Sequence, residues 1–340
     1  MAEAPQTDMS ATMGETPAAP RSRAYIGFAL RAGLGIAVVG LLLWHFDARP
    51  TLKTLARESP AFFIAAVVLY VSGQVMSAFR WQLLAIVGGL GGRFSEYLAY
   101  YFVGMFTNLF VPGLIGGDAA RAIYLGRRHG RIGEAVASVA ADRGLGLLAL
   151  FWMAAVCAVT VSSVPLPRVM IRTAVAIGLV SFVAFLAGPI ISALVARLPA
   201  KIRTLAGPAI IYLDRPLALT PAIVLSLILQ ASLAVCQYLL SRGLGLDLPL
   251  TAFLLCVPIA NVFASLPLTF NGLGIRETAY LVLFGYAGMD KPDAIALGLL
   301  WFATTLIGGV TGVFGLIAAP MKSQGEVENA VASPGNLNVT

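Results

Sequence analysis

The amino-acid sequence predicts an all-α, polytopic integral membrane protein. It should have six to eight transmembrane helices, with two re-entrant or broken-helix segments related as an inverted repeat. Three observations predict this. Of 340 residues, 59% are hydrophobic and only 11% charged, against about 25% charged in a soluble domain, and the mean hydropathy is +0.86. Apolar runs of about 20 residues, the length that spans a bilayer, recur along the chain. Two further apolar regions are interrupted by Pro, Gly and charged residues at matching spacing.

Residues 1–23 and 321–340, rich in small residues, Pro and acids, are too polar to bury a core and are expected to be disordered tails, the first one cytoplasmic. A single membrane domain fills 24–320. Runs near 26–46, 62–87, 134–162, 172–195, 221–241 and 294–319 read as spans, and about 97–125 and 251–288 as the broken segments. The N-terminus is not a signal peptide, because its first charges are acidic and its apolar run, starting near Tyr25, has spanning length.

Orientation follows from basic residues near span ends. Arg21 and Arg23 precede the first span, Arg121, Arg127, Arg128 and Arg131 follow the first broken segment, and Lys201 and Arg203 lie between Arg197 and Arg215. The positive-inside rule places all three groups, and the N-terminus, in the cytoplasm. Arg49, Lys53 and Arg57 then fall outside, against the rule. Two spans precede residue 90, so a full crossing at 97–117 would carry the four-Arg loop outside. The charges favour a segment that enters from the cytoplasm and turns back, which is permitted where protein or water satisfies its backbone.

The two broken segments share a pattern. "VPGLIGGDAARAIYL" carries Pro112, Gly117 and Arg121, and "LPLTFNGLGIRETAYLVL" carries Pro267, Gly272 and Arg276 at the same spacing. Each copy follows an apolar run containing Asn, Asn108 or Asn261, and leads into a helix with a Tyr, Tyr124 or Tyr280. Each has an acid beside the Arg, Asp118 or Glu277. Three expected spans separate the copies, and an odd number inverts the second relative to the first. In transporters, paired interrupted segments of this kind point to the substrate site.

Pro removes a backbone donor, Gly permits close approach, and a helix starting there aims N–H groups at an anion. Arg adds a planar fork suited to phosphate or carboxylate. The expected head-group site is therefore Pro112, Gly116, Gly117, Asp118 and Arg121 from the first copy, with Asn271, Gly272, Gly274, Arg276 and Glu277 from the second. The alternative is two Pro-kinked helices with charged caps at the interface.

Other intramembrane polar residues add to this picture. Glu134, Ser138 and Asp142 share a helical face, with Arg143 adjoining. Asp142 lies deep in its run, where a charge needs a partner. Arg121, Arg143 and Arg276 are the candidate partners, and either a structural ion pair or a functional role fits. Asp142 and Arg143 join the expected site. The stripes Tyr70, Gln74, Ser77, Trp81 and Ser226, Gln230, Gln237, Ser241 are best read as interhelical hydrogen bonds. Cys157, Cys236 and Cys256 lie unpaired in apolar runs, and His45 and His129 are far apart, so neither a disulfide framework nor a metal site is expected. Walker A, GxSxG and HExxH motifs are absent, so transport would run on a gradient or passively.

Three pieces, "VPGLIGGDAARAIYL", "VAADRGLGLLAL" and "FNGLGIRETAYLVLFGYAG", resemble the flippase-like transmembrane region of lysylphosphatidylglycerol synthases, which also exists as stand-alone membrane proteins. The resemblance covers about residues 60–320, with Asp142 where the family pattern has Glu. It implies a multi-pass bacterial inner-membrane (or archaeal) protein that moves lipid head groups between leaflets, the lipid being a phospholipid, a hopanoid or a lipid-linked sugar. The chain ends at Thr340 after a short tail, so the aminoacylating activity of the full synthases is expected to be absent. A membrane-embedded transferase acting on a lipid phosphate or lipid-linked sugar is the alternative, with Asp118, Asp142 and Glu277 as metal ligands or bases. No cofactor is expected. The expected partner is a membrane lipid, with lipid-biosynthesis enzymes and a second copy of the chain as further candidates. Nucleic acid is not expected.

Overall fold

A computed structural model describes residues 48–110, 115–197, 199–265 and 274–318, with isolated positions 37, 40, 41 and 44 before them. The expected span 26–46, the two tails, and Pro112, Pro267, Asn271 and Gly272 lie essentially outside the described residues. All regular structure among the described residues is helical.

A short helix, α1 (Ala48–Leu55), leads into α2 (Pro60–Val87). The next two, α3 (Phe94–Phe110) and α4 (Ile115–His129), form the first broken segment. Then come α5 (Ile132–Thr160), α6 (Arg168–Leu186), α7 (Gly188–Val195), α8 (Ala200–Asp214) and α9 (Thr220–Gly243). The second broken segment is α10 (Leu250–Ala264) and α11 (Ile275–Tyr286), followed by α12 (Lys291–Thr311) and α13 (Val313–Ala318). Five stretches, Pro60–Val87, Ile132–Thr160, Arg168–Leu186, Pro216–Gly243 and Lys291–Gly315, are long and apolar enough to cross a membrane. The chain is thus a multi-pass membrane protein. The expected span 172–195 is corrected to α6 plus α7. Pro189 has no N–H to continue the ladder, and Gly188 packs directly on the backbone of Leu213.

Both broken segments are hairpins that leave on the side they enter. In the first, Glu96 in the opening turn of α3 pairs with Arg128 in the last turn of α4 at 2.6 Å. At the other end, Asn108 of α3 meets Gly117 of α4. The two helices are therefore antiparallel. In the second, Phe253 at the start of α10 stacks on Phe284 near the end of α11, with centroids 4.9 Å apart, and the Cys256 thiol donates to the Leu283 carbonyl at 3.7 Å.

The mouths face opposite ways. Gln82, near the end of α2, donates to the Gly92 carbonyl at 3.1 Å, fixing the first mouth at that end. Ser59, just before α2, donates its N–H to Gly243 at the end of α9. The second hairpin follows α9 and so enters at the opposite face. This is the inverted arrangement that the odd number of intervening spans requires.

Packing depends on glycine where helices touch without side chains between them. A Cβ on Gly117 would strike the Gly104 carbonyl, and one on Gly104 would lie 2.8 Å from the Gly117 carbonyl. Only two glycines let α3 and α4 close to backbone contact. Along α12, Gly308 receives the ring of Tyr70 and Gly309 receives Leu109, and just beyond it Gly312 and, in α13, Gly315 receive the backbone of α3. The first hairpin is thus clamped between α2 and α12.

Candidate functional site

The first hairpin carries a charged cluster at its tip. Asp118 sits in the opening turn of α4, and Arg121 follows one turn later on the same face. The Arg121 fork is shared, donating to Asp118 Oδ1 at 2.7 Å and to Asp142 Oδ2 at 3.1 Å. Asp142 also accepts from Arg80 Nε of α2 at 2.9 Å, and Arg80 reaches Ser226 of α9 at 3.0 Å. Asp118 in turn accepts from Arg143 Nε at 2.6 Å and Nη2 at 3.0 Å. Three guanidinium groups and two carboxylates therefore join α2, α4, α5 and α9.

Burial separates the members of this cluster. Arg121 is 3% and Asp142 2% exposed. Arg121 also lies between two rings, 5.0 Å from the Trp81 centroid and 4.9 Å from that of Tyr101. Such cation–π contacts are worth about 2 kcal/mol when desolvated. A lone buried ion costs several kcal/mol, and charge-assisted pairing on both sides is what makes it tolerable. The Arg143 side chain, by contrast, is 45% exposed and Asp118 19%. The cluster carries one positive charge in excess, and its accessible guanidinium is that of Arg143.

Arg143 opens on a cleft of about 160 Å³ lined by α2, α3, α4, α5 and α12. Its charged end is Gly117, Asp118, Arg121 and Arg143; Tyr70, Gln74, Tyr101, Asn108 and Thr305 form a neutral polar middle; and Met105, Leu109, Phe302 and Leu306 form an apolar wall. Leu306 and its neighbour Ile307 are exposed, so the apolar wall continues to the outer surface of the bundle. Tyr70 and Gln74 lie around the midpoint of the 28-residue α2, so the cleft opens about halfway along that apolar helix.

Several expected site residues meet here and others do not. Gly117, Asp118, Arg121, Asp142 and Arg143 come together, with Gly116 half-buried beside them at the start of α4. Two details differ from the sequence expectation. The Gly117 N–H is not aimed at a ligand but donates to Asn108 Oδ1 at 2.8 Å. The Arg121 fork is filled by two aspartates, so the accessible cation is Arg143.

Gly274, Arg276 and Glu277 do not line the cleft. Gly274 takes φ 85° as the N-cap of α11, a left-handed conformation cheap only for glycine. Glu277, fully buried, turns back so that Oε2 accepts the Gly274 N–H, the acid's half of a capping box, since Gly274 has no side chain to supply the other half. Its side chain packs on Gly298 of α12, where a Cβ would lie 2.7 Å from Cγ. Arg276 is also buried. The second turn is separated from Gly309 at the cleft by roughly 16 Å of α12.

Arg80 is not among the residues expected from sequence, although a lone Arg inside an apolar helix is itself a signal. Tyr70, Gln74 and Trp81 are expected from sequence to form interhelical bonds. Trp81 does bond Ser138 at 3.1 Å, but Tyr70 and Gln74 line the cleft. In the other stripe, Ser226 accepts from Arg80, Gln230 reaches the Gly146 carbonyl, and Gln237 accepts from Tyr280, which is interhelical bonding as expected.

The model of the lysylphosphatidylglycerol synthase transmembrane region matches residues 28–312, most of the chain. The chain belongs to this family. A UPF0104 membrane protein of Pyrococcus horikoshii is 23% identical over 314 residues, covering 82% of this chain and 94% of that one. A second UPF0104 membrane protein, from Methanocaldococcus jannaschii, is 29% identical over 77 residues, covering 22% of this chain and 23% of that one. The family match takes in both hairpins and every described residue of the charged cluster, making this a multi-pass membrane protein of a lipid-related family.

Proposed function

We propose that the protein is a lipid flippase or lipid-handling transporter that holds a polar or anionic head group in the first-hairpin cleft and passes it between leaflets. The observation that carries this reading is the cleft's composition about halfway along α2. An accessible guanidinium, Arg143, stands at one end, and an apolar wall that reaches the bundle surface stands at the other. Arg143 spends its Nε and one Nη2 N–H on Asp118, and a phosphate finds the remaining Nη N–H groups of its guanidinium, while acyl chains stay outside against Phe302 and Leu306. The inverted second hairpin supports the same reading, since related broken segments on opposite sides suit a site reached from either face. The family supports a lipid substrate.

By the positive-inside rule the face bearing Arg93, Arg127, Arg128, Arg131, Arg197 and Arg215 is cytoplasmic, in a bacterial inner membrane. The transferase alternative has less behind it. Asp118 and Asp142 are each held by two guanidinium groups, and Glu277 caps its own helix, so none is placed as a base or metal ligand.

Reconstituted vesicles with fluorescent lipid in one leaflet test the proposal. The protein should accelerate exchange between leaflets, and Arg143→Gln should slow it about tenfold or more, the loss expected for hydrogen bonds to a charged group. Exchange no faster than in empty vesicles, or unaffected by Arg143→Gln, would overturn it.

A further inference from the structure

We propose that Glu58 is a proton-operated latch on the mouth of the second hairpin, at the face away from the arginine-rich first mouth. Protonated, it holds the corner between α1 and α2 against the end of α9 and keeps that mouth covered. Deprotonated, it lets the corner lift. The latch involves no residue of the first-hairpin cleft and stands apart from the head-group reading.

Two segments cover the mouth. Leu55, closing α1, packs on the apolar cluster that contains Phe253 and Phe284, and Val164 and Leu166 of the loop between α5 and α6 belong to the same cluster. Ser163 of that loop bonds Thr251 in the first turn of α10 at 3.0 Å. Thr54 of α1 donates to Asp293 in the first turn of α12 at 2.8 Å. Three residues after α1 the chain reaches Glu58, so whatever fastens Glu58 also fastens one end of the cover.

The fastening is at Gly243. Ser59 donates its N–H to the Gly243 carbonyl at 3.1 Å, and the Glu58 carboxyl fills the space that a Cβ on Gly243 would need. Both carboxyl oxygens are buried without a hydrogen-bond partner. A neutral acid can rest there, but a carboxylate would lack both water and donors, which is strongly disfavoured. It regains water when the corner leaves Gly243.

The surrounding charges are turned elsewhere. Arg49, Lys53 and Arg57 on its own stretch are exposed. Arg242 near the end of α9 is exposed and pairs with Asp247 at 2.7 Å. At the start of α12, Asp290 and Lys291 are exposed and Asp293 holds Thr54. Residues 161–167 and α10 contain no charged residue, and Arg168, where α6 begins, is exposed. Burial is what acts on Glu58, pushing its carboxyl up to about 7. The corner is therefore closed below that pH, and above it each pH unit favours the open form by up to about tenfold, the limit for one proton.

Hydrogen–deuterium exchange of the full chain in detergent, from about pH 6 to about pH 8.5, tests the latch once amide exchange is corrected for its intrinsic pH dependence. Opening of residues 48–59 and 241–247 should be flat at the acid end and then rise by up to about tenfold per unit, with 161–167 following and α5 changing less. Glu58→Gln should keep the corner closed and abolish the rise. Gly243→Ala places a methyl where the carboxyl sits, so the corner should exchange fast at every pH; it supplies the same readout should Glu58→Gln fail to fold. A flat profile in the unaltered protein, or a rise that persists in either variant, would overturn the latch. An equal rise in α5 would mean that the whole chain loosens, and no change at 161–167 would mean that the mouth stays covered; either would overturn it too.

Discussion

The two hairpins share a sequence pattern and an inverted placement, yet they spend their charges differently. In the first, Asp118 and Arg121 face outward from α4 into a network that recruits Arg80, Asp142 and Arg143 from two other helices. In the second, Glu277 folds back onto the N-terminus of its own helix and is sealed by Gly298. One turn joins helices around an open cleft; the other is closed into the larger apolar cluster with Phe253, Tyr280, Phe284 and Trp301. The Pro-x4-Gly-x3-Arg spacing is common to the two segments, and what differs with it among the described residues is the offset of the acid from the Arg. Three residues before the Arg, the acid can pair with it across one helical turn. One residue after, it points elsewhere and reaches the N-cap.

This contrast can be broken by substitution. The largest effect is expected for Asp142→Ala, which leaves Arg80 and Arg121 buried against each other and should cost about 3–5 kcal/mol, read as thermal unfolding in detergent. Glu277→Gln keeps an acceptor for the Gly274 N–H and should cost at most about 1 kcal/mol. Equal losses would show that Asp142 of the charged cluster and the capping Glu277 are not held differently. Next comes Gly298→Ala, which forces a methyl into the Glu277 side chain and should cost about 1–3 kcal/mol; an unchanged melting temperature would mean that the second turn is not sealed there.

A smaller, pH-dependent effect is expected at Glu58, in the loop before α2 on the face where the second hairpin enters. Both its carboxylate oxygens are buried without a hydrogen-bond partner, the side chain packs on Gly243, and burial pushes its pKa up to about 7. The folded state then holds a proton that the unfolded chain releases above pH 4.5. Stability from this group is full below that value and is lost as pH rises through about 7. Glu58→Gln should flatten that decline and raise stability at pH 8 by on the order of 1 kcal/mol, discounted for partial exposure. A decline that persists in the variant would assign it to another group. The smallest change in stability, about 0–1 kcal/mol, is expected for Arg143→Gln, whose pair is exposed, although this variant should weaken lipid exchange most.

Much of the fold was legible because bilayer solvation is a strong constraint. Apolar length marked the spans, and charges beside Pro and Gly marked the hairpins. The parity of the spans between them gave the inversion. The break at Gly188 and Pro189 was hidden inside a run whose apolarity never lapses. Within the site, Asp118, Arg121, Asp142 and Arg143 stood out as costly charges, but which acid holds which Arg depends on helix rotation and contact that no local spacing encodes. Arg80 belongs to the same class of signal and was overlooked among its apolar neighbours. Tyr70 and Gln74 carry no such signal, since a polar stripe reads alike whether it faces a helix or a cleft.

The most direct test of the central claim is a density map of the protein in phosphatidylglycerol nanodiscs. The account predicts a lipid phosphate within hydrogen-bond distance of Arg143 and its acyl chains leaving past Leu306. An empty first cleft, or a head group seated instead at Gly274 and Arg276, would contradict it.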